Sequence, residues 1–183
     1  GMNSLLPDDI RILQCEPCAA EFNPNRDSKS KEYHYYFCTD PIHNPVLNDF
    51  VAHISSDSKA STTGPLDIEL MQRACKLFIG GHDFYNFARR DANIGSTFRT
   101  VISCEILQAQ ASTFGNKVYY LKVVGNGFLR HMIRYIAGAL FALGKSQLSL
   151  SDISEALVDH KEKKISPRAR SHGLHLIRIC YES

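Results

Sequence analysis

The apolar positions of this 183-residue chain change period several times, and each change predicts an element. Residues 3–27 hold no sustained period, although the short apolar run Ile10 to Leu13 can pair as a strand. Tyr33-His34-Tyr35-Tyr36-Phe37 is aromatic throughout and reads as a strand with Tyr33, Tyr35 and Phe37 on one face. Residues 38–65 are rich in Asp, Asn, Ser, Thr and Pro and read as a long loop with a short element at Asp49–His53. Pro65 then opens a helix whose face is Ile68, Met71, Cys75 and Phe78, stopped by Gly80-Gly81. Thr100–Leu107, the polar turn Ser112–Asn116 and Val118–Val124 form a hairpin. From Gly125 to Gly144 the residues Leu129, Met132, Ile133, Ile136, Leu140 and Leu143 fall at helical spacing and predict an amphipathic core helix. A second helix begins at Ser149 or Ser151, with Asp152 and Glu155 early and Lys161, Lys163 and Lys164 late, the charge order a helix favours. Leu174–Tyr181 closes the chain as a strand.

The order strand, helix, strand, strand, helix, helix, strand predicts an α+β fold. Apart from the extra helix it is the split βαβ of a ferredoxin-like or RNA-recognition-type layer, a mostly antiparallel sheet with helices packed on one face. A chain of this length buries one core, so residues 1–183 are read as a single domain. The free face of such a sheet is expected to carry the Tyr33/Tyr35 and Leu174/Leu176 rows, a surface of the kind that stacks single-stranded bases.

Charge sharpens two places. Arg130, His131 and Arg134 crowd the first turns of the predicted 125–144 helix, where the macrodipole disfavours cations by roughly 0.3 to 1 kcal/mol each. As helix residues four apart, Arg130 and Arg134 share a face and either meet a carboxylate or phosphate from elsewhere or snorkel into solvent. Lys161, Lys163, Lys164, Arg168, Arg170 and Arg178 stand against Glu162 alone. That strip is either a nucleic-acid footprint or plain solvated surface, and the net charge of +2 is too mild to decide.

Six cysteines include one CxxC pair, Cys15 and Cys18. Zinc needs two further ligands at matching spacing; His34 and His43 are the conceivable completions, and free thiols in a reducing compartment are the simpler reading. No signal peptide or membrane-length apolar run is seen, so a cytoplasmic protein is expected, and Gly1 before Met2 reads as the remnant of a cleaved tag. His82-Asp83 invites reading as a catalytic pair, but neighbours on a turn seldom converge on one atom. Asp83 is read as a turn or cap residue, and Phe84 and Phe87 as core.

Four segments then matter jointly: Lys31-Glu32-Tyr33-His34-Tyr35, Gly80-Gly81-His82-Asp83-Phe84-Tyr85-Asn86-Phe87 with Arg99-Thr100, Gly125-Asn126-Gly127-Phe128-Leu129-Arg130-His131-Met132-Ile133-Arg134, and His172-Gly173-Leu174-His175-Leu176. With Leu5-Leu6-Pro7-Asp8-Asp9-Ile10 ahead of them, their order and spacing resemble the C-terminal half of the tRNA pseudouridine synthases of the TruA type, over nearly the whole chain. The resemblance implies that Tyr33 contacts the target uridine, that Arg134 ion-pairs with the catalytic aspartate and that Leu174 packs on the base. It also implies tRNA as partner, a homodimer in full-length form, no metal and no small-molecule cofactor. Arg26, Arg99, Arg130, His131, Lys163, Lys164, Arg168 and Arg170 are the candidate RNA contacts. The duller readings are an edge-strand aromatic for Tyr33, a phosphate contact for Arg134 and plain core for Leu174.

The departures are as informative. The family's aspartate lies in a Gly-Arg-Thr-Asp-x-Gly-Val-His segment ahead of the Leu-Pro-x-Asp-Ile stretch, and none of the 19 acidic residues here has that context. The chain therefore reads as half an enzyme, inactive alone, in which Arg134 should face an open cleft without a carboxylate of its own fold. Phe22-Asn23-Pro24-Asn25-Arg26 places its arginine one position late for Phe-x-Ala-Arg, and Ala169-Arg170-Ser171 replaces the usual Ala-Pro-Ala. A non-catalytic RNA-binding module and an oligomerisation domain are the competing readings. Arg90-Asp91-Ala92-Asn93 faintly suggests a target in the anticodon stem-loop.

Overall fold

The structure is a computed structural model that describes residues 1–42, 44–54, 65–89, 95–110 and 117–181. The 112–116 turn, the 90–93 segment and His43 lie outside those residues. Among the described residues a six-stranded mixed sheet carries three helices. The strands are β1 (Ser30–Cys38), β2 (Ala52–His53), β3 (Gly80–Asp83), β4 (Phe98–Gln108), β5 (Val118–Gly125) and β6 (Leu174–Cys180), and the helices are α1 (Ile68–Cys75), α2 (Met132–Gly144) and α3 (Leu150–Ala156).

β1 is central. It runs antiparallel to β5 from Lys31 opposite Gly125 to Cys38 opposite Val118. Its other edge is shared: β6 pairs with residues 30–35 antiparallel, and β2 pairs with Phe37 and Cys38 in parallel. β4 lies beyond β5, and β3 closes that end. The fold is thus α+β, as the periodicities predict.

Tyr35 and Phe37 of β1, Val101, Cys104 and Ile106 of β4, and Leu121 and Val123 of β5 are buried in one core with α1, α2 and α3. α2 is its centre: Ile136 to Gly144 are all buried, so the helix is apolar nearly all round. Each such large aliphatic side chain contributes about 1.5 to 3 kcal/mol on leaving water.

Several expectations are corrected. Ile10 to Leu13 forms no strand; Leu13 is 95% exposed, and the Asn3 side chain exchanges two hydrogen bonds with the Ile12 backbone. α1 starts at Ile68 under an Asp67 cap, whose carboxylate accepts from Leu70 N at 2.9 Å, and not at Pro65. β3 occupies the Gly80-Gly81 stop. The 125–144 helix begins only at Met132, because Gly125 is still in β5, with Thr100 O and the Phe128 ring where a Cβ would stand. Arg130 and His131 precede the helix, so Arg130 shares no helical face with Arg134.

α3 starts at Ser149 with a capping box closed by Asp152 but ends at Ala156, so Lys161, Lys163 and Lys164 lie beyond it. Its exit is held by buried Asn86, which donates to Ala156 O at 2.7 Å and Asp159 O at 2.6 Å and accepts from Lys161 N. Asp83 is the turn residue expected, accepting from Tyr85 N, the Thr97 hydroxyl and His160.

The expected free face is overturned by alternation. Tyr35 is fully buried and Tyr33 packs on the same core, as does Leu174, so these rows face the helices. The opposite face carries His34 stacked on Tyr120 at 4.6 Å, with Tyr36 between Tyr120 and His175.

Residues 165–173 form a strap across α2. Pro167 O stands 2.0 Å from where a Cβ on Gly138 would lie, so only glycine lets the strap seat. Gly138→Ala should lift the strap and lower stability by about 1 to 3 kcal/mol, read as a lower urea midpoint; an unchanged midpoint would show that the strap yields freely.

Candidate active-site pocket

β1, β6 and the turn into α2 meet around a pocket of about 240 Å³. Tyr33, Phe128 and Leu174 line it together with Arg130, His131 and the start of α2. Its volume is below the roughly 300–1,000 Å³ of sites for drug-sized ligands, so it suits a single flat ring. Phe128 meets Tyr33 edge-on, ring centroids 5.3 Å apart at 89°. Burial raises the Tyr33 phenol above its ordinary value, so at neutral pH it is a hydroxyl that can donate.

His131 has φ 64°, left-handed backbone without glycine's freedom, at a cost of roughly 1 to 2 kcal/mol. Arg168 supplies a compensating contact, its Nη1 lying 2.7 Å from His131 Nδ1. Arginine only donates, so Nδ1 accepts and Nε2 carries the imidazole proton. Burial lowers the His131 pKa first, and Arg168, Arg134, Arg130 and Arg89 lower it further.

Arg134 does not line this pocket. Its Nε donates to Ala169 O at 2.7 Å, while its own backbone carbonyl accepts from Ala169 N at 3.0 Å. Among the described residues no carboxylate lies within ion-pair distance of it, and Nε carries its one side-chain hydrogen bond. Burial, and then Arg168, hold its pKa below the usual guanidinium value. A half-buried guanidinium with both Nη groups free of hydrogen bonds among the described residues can receive an anion.

The other sequence candidates scatter. Arg26 is clamped by Asp27 at 2.6 Å and does not line the pocket. Arg99 donates to Ser96 O and Phe98 O beside Gly127. Lys164 turns inward to Tyr85 O and Ala88 O and sits 5.1 Å over the Tyr135 ring. Lys163, Arg168 and Arg170 are exposed. Cys15 and Cys18 are exposed free thiols, and no cluster of three potential metal ligands occurs among the described residues. Sequence reasoning passed over Phe128, although it stands in the quoted Gly-Asn-Gly-Phe segment, and it passed over the strap carbonyls, which leave no trace in side-chain identity.

A family profile described as tRNA pseudouridine synthase matches residues 74–182, which takes in the α2 turn, the strap and β6. The chain belongs to the tRNA pseudouridine synthase family. It is 50% identical over 179 residues to tRNA pseudouridine synthase A 2 of Desulfotalea psychrophila, covering 98% of this chain and 66% of that relative. It is 32% identical to tRNA pseudouridine synthase A 2 of Clostridium tetani, covering 99% and 67%. To tRNA pseudouridine synthase A of Listeria innocua it is again 32% identical, covering 100% and 68%. The chain thus spans about two thirds of the length of these relatives. No helix among the described residues is long and apolar enough to cross a membrane.

A lowered His131 pKa means the unfolded chain binds the proton more tightly. Its contribution to stability is therefore present above about pH 6.5 and lost as pH falls through the folded value. Arg168→Ala should move the His131 titration, followed by NMR of the ring proton, to higher pH; a downward move would contradict the contact.

Proposed function

We propose that this chain supplies the Tyr33, Arg134 and Leu174 side of the active site of a tRNA pseudouridine synthase, an isomerase that turns uridine into pseudouridine. The catalytic aspartate comes from sequence outside these residues. The observation that carries the reading is Arg134: a half-buried guanidinium gripped from behind by Ala169, its Nη edge free of any carboxylate among the described residues. An aspartate laid against that edge would stay ionised, since a neighbouring arginine lowers a carboxylate's pKa.

The reaction breaks the bond from ribose C1′ to uracil N1, whose electron pair stays on the ring, turns the ring and joins C1′ to C5; the C5 proton then leaves to a base or solvent, and N1 takes up a proton. Atoms and electrons balance within the nucleotide, so no oxidant, metal or cofactor is required. The family's aspartate acts at the ribose or the ring. Arg134 holds that carboxylate charged and oriented, and a pocket of about 240 Å³ takes the uracil. Leu174 and Phe128 keep it dry, and the protonated Tyr33 hydroxyl can hold or pass a proton at the ring. Arg168, Arg170, Arg130, His131 and Lys163 are proposed to meet the tRNA backbone, with the anticodon stem-loop as target and a homodimer as the gripping form. Arg26 and Lys164, engaged within the fold, are weaker candidates for the same role.

Tritium release from tRNA carrying 5-tritiated uridine tests the proposal. A protein with the aspartate segment should turn over, and the 183 residues alone should not. Arg134→Ala in the active form should lower kcat by about 100-fold or more while tRNA affinity changes less than about threefold. Turnover by this chain alone would defeat the claim of an external aspartate. Lost affinity with unchanged saturated turnover would make Arg134 a phosphate contact, and tRNA binding without any release would favour the non-catalytic module.

A further inference from the structure

Two consecutive carbonyls of the strap are held by side chains from different elements. Ala169 O accepts from Arg134 of α2 at 2.7 Å, and Arg170 O accepts from the Tyr35 hydroxyl of β1 at 2.8 Å. Peptide planes are rigid, so only the two backbone dihedrals of Arg170 separate the directions of these carbonyls. Fixing one constrains the other.

Tyr35 is fully buried, and burial pushes its phenol up to about 12 against the opposing pull of Arg134 and Arg170. Its hydroxyl is therefore protonated across the working range and donates its one hydrogen to the strap. The ring is fixed independently of the hydroxyl. It leans on Phe141 of α2, and a Cβ on Gly173 would stand 3.0 Å from Tyr35 Cζ and 2.6 Å from Tyr36 O. A phenylalanine at position 35 would keep that packing and lose only the hydrogen bond.

We propose that Tyr35 is a positioning residue: by holding the Arg170 carbonyl it sets the Ala169 carbonyl, and through it the direction in which Arg134 offers its guanidinium. For its effect on turnover, though not for its effect on Arg134, this rests on the proposed function. Tyr35 touches neither the pocket nor the incoming carboxylate. Its influence runs through one peptide unit.

The Arg134 Nε–H proton reports the hold directly, by NMR hydrogen exchange on the 183-residue chain. Tyr35→Phe should speed that exchange by about fivefold or more, while unfolding stays cooperative and Arg26 Nε–H, bonded to Asp27 at a distance, keeps its rate. Exchange at Arg134 within twofold of the unsubstituted chain would overturn the proposal. Should Tyr35→Phe not fold, 3-fluorotyrosine placed at position 35 gives a stronger donor and should slow the same exchange; no change would again overturn it.

In the protein that carries the aspartate, Tyr35→Phe should lower kcat by about fivefold to tenfold with KM within about twofold. A purely structural role would lower apparent kcat only in proportion to the folded fraction, so kcat is taken per folded molecule, and unchanged kcat on that basis would overturn the positioning role. Absence of turnover in the unsubstituted enzyme would overturn the proposed reaction, and the exchange rates would still decide Tyr35.

Discussion

The reciprocal pair between Arg134 and Ala169 is the constraint on which the site depends. α2 gives the strap a carbonyl and a guanidinium, and the strap returns an amide and a carbonyl. Gly138 lets the two backbones approach closely enough for this, with Pro167 O where a side chain would begin. From that clasp the strap runs to Gly173, wedged against Tyr35 and Tyr36, and delivers Leu174 to the pocket wall. One short segment therefore places the head of Arg134, the start of β6 and the apolar side of the pocket.

The second organising force is like charge gathered at one corner. Arg89, Arg130, Arg134 and Arg168 all depress the protonation of His131. Such a gathering at the start of α2 costs free energy in the isolated fold, because the helix N-terminus is itself positive. Under the proposed function, the tRNA backbone and the aspartate would share that corner and offset the cost. The left-handed backbone of His131 is a further strain at the same corner, as local strain at functional sites often is.

Much of this was legible in the residues. The alternation of Thr100–Leu107 and Val118–Val124 marked two strands that do pair antiparallel, and the helical spacing of Met132, Ile133, Ile136, Leu140 and Leu143 marked the core helix, which is apolar nearly all round where an amphipathic one was expected. The face assignment failed because alternation fixes which residues go together and not which side the helices choose: Tyr35 went inward, and His34, Tyr36 and Tyr120 were left outside. The helix start was misplaced because Gly125 reads as a flexible opener, when tertiary crowding by Thr100 and Phe128 makes it the last residue of a strand. Tyr33 and Leu174 were identified by motif and do share the pocket. The strap was invisible beforehand, since its work is done by backbone carbonyls and a missing Cβ, neither of which has a pattern of its own.

If the clasp governs the site, it must persist as long as the fold does. Native-state hydrogen exchange of the Ala169 amide measures this. That amide should exchange only through global unfolding, with the same denaturant dependence as core amides of α2 such as Leu140. Exchange through a local opening insensitive to denaturant, at the rate of a surface loop, would contradict the claim that the strap holds Arg134 and the pocket in place.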